Sequence, residues 1–156
     1  HAPTGGGWPS YYVEEHQSNA HTMAAQLTSL VLEGVPERFP NLKIVFIEGG
    51  FGWIPSATWR MDRHSEAFRS EVPHLKRRPS EYVKEHFWFT TQPIDEPDEA
   101  KHLRSLIEWV GADRLLFSSD YPHWDFDDPR FAFKTPLTET ERRKIFSGNA
   151  RALYKL

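Results

Sequence analysis

Glu48, Gln92 and Asp120 occupy equivalent places in this sequence, each directly after a short apolar run: LKIVFI (42–47), FWFTT (87–91) and LLFSS (115–119). Runs this short and this rich in β-branched and aromatic residues read as buried strands, so a polar residue at the end of each stands at the rim of a core. Glu48 is followed by Gly49-Gly50, which lets backbone approach a ligand closely, although an exposed loop carboxylate satisfies the same pattern. Asp120 lies in SSDYPHWD (118–125), which gathers an acid, the His123 imidazole and the rings of Tyr121 and Trp124. Carboxylates here can ligate a cation, orient water or carry a proton, and His123 can contact a substrate or orient a ligand. The plainer readings are a turn former before Pro122 for Asp120 and a hydrogen-bonded structural residue for His123. His1, ahead of the turn-rich APTGGG (2–7), fits the same address if a strand precedes it. Trp8, Trp53, Trp88 and Trp124 are candidates to line a pocket for a planar substrate, or else to fill the core. His16, His21, His64, His74, His86 and His102 have no partners at ligand spacing and are set aside.

The elements that must position these residues alternate between strand and helix. Met23, Leu27, Leu30 and Val31 recur at helical spacing within 19–33, and Gly34 and Pro36 end that helix. Further helices are expected over 55–68, as a short turn capped by Ser80, over 96–110 before Gly111, over 138–146 and around 150–154. Strands separated by helices imply parallel neighbours, because a parallel pair needs a crossover. In a closed barrel the carboxyl ends of all strands converge on one mouth, which would unite Glu48, Gln92 and Asp120.

Composition excludes several classes of function. The net charge of −3 is spread among mixed acids and bases, and Lys76-Arg77-Arg78 is too short to form a nucleic-acid footprint. No apolar run approaches the ~18 residues of a membrane span. The absence of cysteine removes both disulfides and thiolate metal sites, so a metal here must take His and carboxylate ligands, and a reducing cytoplasm is compatible.

Taken together, FPNLKIVFIEGGFGWIP (39–55), WRMD (59–62), RRPSEYVKEH (77–86), FTTQP (89–93), LLFSSDYPHWD (115–125) and GNARALY (148–154) resemble the amidohydrolase-related family. Its members include aminocarboxymuconate semialdehyde decarboxylase and the aromatic-acid decarboxylases. The resemblance implies an α/β fold, a (β/α)8 TIM barrel of the metal-dependent hydrolase type with one divalent metal at its mouth. It implies metal ligands from a first-strand pair, a fifth-strand histidine and an eighth-strand aspartate. His1 matches the fifth-strand position and Asp120 the eighth, and no residue here matches the first-strand pair. Where the decarboxylases place a sixth-strand histidine that orients water, this sequence has Glu48.

These readings set the expectations. Residues 1–156 form a single partial barrel, about strands 5 to 8, whose amino-terminal part lies upstream or on a partner chain, with self-association across the open edge as another way to cover it. The metal is zinc in first place, with manganese or iron as alternatives. The reaction is metal-dependent hydrolysis of an amide, ester or lactone of a small molecule, with Glu48 as base and Asp120 as ligand and proton acceptor. Nonoxidative decarboxylation of an aromatic or unsaturated acid is the second reading, and an inactive remnant or binding module the third.

Overall fold

A computed structural model describes residues 7–156. Helix α1 (Tyr12–Leu32) leads through α2 (Val35–Arg38) to β1 (Ile44–Phe46) and α3 (Ile54–Ala67). Then come α4 (Pro79–His86), β2 (Phe87–Thr90), α5 (Ala100–Val110), β3 (Leu115–Leu116), α6 (Glu139–Arg143) and α7 (Asn149–Tyr154), the last two joined by a π-helical turn over Lys144–Gly148. The three strands form one parallel sheet in the order β1-β2-β3, with Val45 beside Trp88 and Phe89 beside Leu115. β2 is central and buried along its whole length, whereas Ile44 and Val45 of β1 are only half-buried, since β1 is an edge of the described sheet. The expectation that LKIVFI is buried on both faces therefore holds for Phe46 alone, and Ile47 is exposed.

Helices α1, α3 and α5 pack against the sheet. Leu27 and Val31 of α1, Ile54 and Met61 of α3, Leu103 and Ile107 of α5, and Ile145 pack with Phe46, Phe87 and Phe89 into one core. Full burial of each such side chain contributes about 1.5–3 kcal/mol. The late GNA motif earns its place by hydrogen bonding. Buried Asn149 donates through Nδ2 to the carbonyl oxygens of Ala112 (2.6 Å) and Leu115 (2.8 Å), tying the terminal helix to the start of β3. At the start of α6, Thr138 Oγ1 accepts from Glu141 N–H (3.2 Å) and Glu141 Oε2 accepts from Thr138 N–H (2.9 Å), so two otherwise orphaned donors are satisfied.

Two element boundaries differ from the sequence reading for identifiable reasons. Ser80 lies inside α4 rather than capping it, because its N–H and hydroxyl both donate to Asp62, at 2.8 and 2.7 Å. Helix α1 starts at Tyr12, seven residues ahead of the start expected at 19. Tyr12, His16, Asn19, Met23, Leu27 and Leu30 share one helical face, and its first half is polar while its second half is apolar. Among the described residues no helix is long and apolar enough to cross a membrane.

Candidate active site

The central strand holds its neighbours' exits in place. Beyond its last apolar residue β2 offers two hydroxyls, one to each side. Thr90 Oγ1 accepts the backbone N–H of Glu48 (3.0 Å), and Thr91 Oγ1 accepts that of Ser118 (3.3 Å). Glu48 and Asp120 both adopt left-handed backbone, with φ of 59° and 56°. That conformation costs a residue bearing a Cβ roughly 1–2 kcal/mol, and it turns each chain sharply at its strand end.

The two carboxylates line a common cavity of about 290 Å³ together with Gln92 and His123. The opposite wall comes from α1, whose Tyr12, Glu15, His16 and Asn19 face the same space. A second cavity of about 490 Å³ adjoins it, sharing Glu48, His16 and Asn19 and extending to Asp95, Trp124 and Asp127. The polar half of α1 thus faces these cavities, while its apolar half enters the core.

Asp125 is bound by two imidazoles. His16 Nε2 donates to Asp125 Oδ2 at 3.0 Å, and His123 Nδ1 donates to Asp125 Oδ1. Asp120 Oδ2 lies 3.4 Å from the same His123 nitrogen. The hydrogen bond to Asp125 raises the His123 pKa, with the charges of Asp125, Asp120 and Glu48 adding to it. Burial opposes ionisation of Asp125, but its bonds to His123 and His16 outweigh that and lower its pKa. Asp120, His123 and Asp125 each offer a ligand atom within 4.8 Å of the others. Aromatic rings close the cluster: His16 stacks between Tyr12 (5.5 Å) and His123 (6.3 Å), and Trp124 donates its Nε1 hydrogen to the Tyr12 hydroxyl at 3.2 Å. In the wall of the larger cavity, burial pushes Asp127 up to about 6, and its Oδ2 is buried with no hydrogen-bond partner among the described residues.

The structure therefore brings Glu48, Asp120, His123 and Trp124 together. Glu48 is exposed at the cavity rather than enclosed by its strand. Trp53 and Trp88 line neither cavity and take the core alternative instead. Trp53 donates to the Gly49 carbonyl (2.7 Å) and packs edge-on against Phe46 and Phe89, because α3 begins at the next residue and turns the ring into the core. Trp88 is buried beneath the cations of Lys43 and Arg114, which immediately precede β1 and β3, so its ring lies at the amino-terminal end of the parallel sheet, away from the strand exits. His1, expected as a metal ligand, lies outside the described residues. His16 and Asp125 are the members that sequence reasoning missed. The available signal was Tyr12, Glu15, His16 and Asn19 continuing the helical face that Met23 and Leu27 define.

The model of the family described as amidohydrolase matches residues 4–156. The chain belongs to the amidohydrolase family. Gamma-resorcylate decarboxylase of a Polaromonas species is 35% identical over 136 residues, which cover 85% of this chain and 40% of that protein. The enzyme of the same name from a Rhizobium species is 34% identical over 140 residues, covering 88% and 41%. The crystal structure of a Polaromonas dihydroxybenzoic acid decarboxylase, with bound manganese and the inhibitor 2-nitroresorcinol, superimposes with a TM-score of 0.69 at 30% identity, covering 88% of this chain and 41% of that one. This amidohydrolase-family chain thus spans about two fifths of the length of these relatives. One expectation is corrected. Hydrolysis as the first reading is overturned, because these relatives are named decarboxylases. The metal in the Polaromonas structure is manganese, one of the alternatives to zinc expected above.

Proposed function

We propose that this chain supplies the acid-base and metal-ligating side of a nonoxidative decarboxylase acting on an aromatic or unsaturated carboxylic acid. Residues 1–156 are then one unit, the carboxyl-terminal half of a (β/α)8 barrel comprising about strands 5 to 8. β1 to β3 become its last three strands, and their exits form part of the mouth where such barrels place their sites. The observation that carries the reading is the meeting of Glu48 and Asp120, one from each edge of the described sheet, in a single cavity.

The donor set suits a divalent cation. One His123 hydrogen already sits between the carboxylates of Asp120 and Asp125, a point where the local field favours positive charge. Asp120 and Asp125 would hold the ion through oxygen and His123 through Nδ1 once that nitrogen has released its hydrogen to solvent, with His1 as a further ligand at the fifth-strand position. An oxygen-and-nitrogen set without sulfur suits manganese, and zinc or iron also fit it. A cation held by these residues would neutralise the substrate carboxylate and help orient it.

Nonoxidative decarboxylation replaces a carboxyl group by hydrogen. The bond to the carboxyl carbon breaks, its electron pair stays on the ring or alkene carbon and takes up a proton, and carbon dioxide leaves. Glu48, exposed to both cavities, receives that proton from solvent and gives it to the carbon. Tyr12, His16 and Trp124 flank the space with ring faces and edges suited to a planar acid.

The test uses the full-length protein with manganese and 2,6-dihydroxybenzoate or a related hydroxylated benzoate, measuring carbon dioxide release. Glu48→Gln should lower the release by about 100-fold or more while manganese binding persists. Undiminished release by that variant overturns the assignment of Glu48.

A further inference from the structure

His16 belongs to none of the three strand exits. It comes from α1, and Asp125, its partner in the 3.0 Å hydrogen bond, is 109 residues away along the chain. A carboxylate only accepts hydrogen bonds, so the bond selects the imidazole form that carries hydrogen on Nε2. The two Asp125 oxygens have different partners, Oδ1 facing His123 and Oδ2 facing His16. If Oδ1 turns to a cation, Oδ2 remains bound to His16, and the carboxylate plane stays set. The His16 ring is itself fixed, stacked against Tyr12 at 5.5 Å and tilted against Trp124 at 5.6 Å. Asp125 is the least exposed acid of the cluster, with a side chain 13% exposed against 28% for Asp120, so little water is present to replace a lost donor.

We propose that His16 is a positioning residue, which holds Asp125 in the orientation required of a cation ligand and so couples α1 to the exit of β3. The inference rests on the metal-binding reading given above. Hydrogen-bond donors to ligand groups are typically worth about 10- to 100-fold in metal affinity.

Two substitutions separate the donor from the ring. His16→Phe keeps an aromatic face for Tyr12, His123 and Trp124 and removes the Nε2 hydrogen. His16→Gln keeps a donor of similar reach and removes the stack. Manganese affinity of the full-length protein is measured by calorimetric titration alongside the thermal melting temperature. The proposal expects His16→Phe to bind manganese about 10- to 100-fold more weakly at a melting temperature near that of the unsubstituted protein, and His16→Gln to retain most of the affinity. Affinity unchanged in His16→Phe overturns the proposal and leaves the metal-binding reading standing. Equal weakening in both variants overturns the donor role in favour of simple ring packing. If the unsubstituted protein itself fails to bind manganese, the metal-binding reading falls and this proposal with it.

Discussion

Replacing Glu48 separately by alanine and by glycine isolates what its backbone conformation costs. Both changes delete the carboxylate, and because that side chain is exposed, its loss alone should alter stability by less than about 0.5 kcal/mol. The two variants then differ by one methyl group on a residue held at φ 59°. At an ordinary backbone position glycine is worse than alanine by about 0.5–1 kcal/mol, through the larger entropy it loses on folding. In the left-handed region alanine carries a steric penalty of about 1–2 kcal/mol that glycine escapes. At their mid-range values the second effect exceeds the first, leaving the glycine variant more stable by about 0.75 kcal/mol. For a chain of this size that corresponds to a melting temperature about 1–4 °C higher. Side-by-side thermal melts of the two proteins measure the difference, with carbon dioxide release expected to be equally low in both. Should the alanine variant melt as high as the glycine variant or higher, Glu48 is not held in strained backbone and the sharp turn that aims it into the cavity is wrong.

The other predictions concern the frame around the site. Asn149→Ala removes both donors to the Ala112 and Leu115 carbonyls and leaves those groups unpaired at a buried position, so urea unfolding should show a loss of about 1–3 kcal/mol. Arg104 holds the Glu141 carboxyl down from its ordinary 4.5 to about 2, with the Thr138 N–H and hydroxyl assisting. A carboxyl depressed in the folded state adds stability above its unfolded pKa and loses it as pH falls toward the folded value. That contribution, at most about 3 kcal/mol and reduced by the partial exposure of both side chains, should vanish between about pH 4.5 and pH 2. Glu141→Gln should flatten denaturant-measured stability across that window, and an unchanged pH slope would show that the Arg104 pair does not contribute.

The chain order of strands and helices was legible because it rests on local properties. FWFTT has no polar residue until its end and becomes the fully buried β2, while Met23, Leu27 and Val31 mark the apolar half of α1. Strand lengths were overestimated, since LLFSS pairs only through Leu115 and Leu116 before the chain turns away. Glu48, Asp120, His123 and Trp124 were legible as a group because each stands at or just after a strand end, and parallel strands point those ends the same way.

What the sequence by itself determined was therefore the set of strand-end residues and the parallel arrangement that unites them. Only the tertiary structure decided which residues complete the site from outside the strands. His16 reaches Asp125 because α1 crosses above the strand exits, a contact between residues 109 positions apart that no local periodicity encodes. Tertiary structure also withdrew Trp53 and Trp88, whose ring type suits a pocket but whose positions at a helix start and at the amino-terminal end of the sheet send them elsewhere. Periodicity reports which face of an element is apolar. The three-dimensional course of the chain decides whether a polar face meets solvent or a cavity, and in the first half of α1 it meets a cavity.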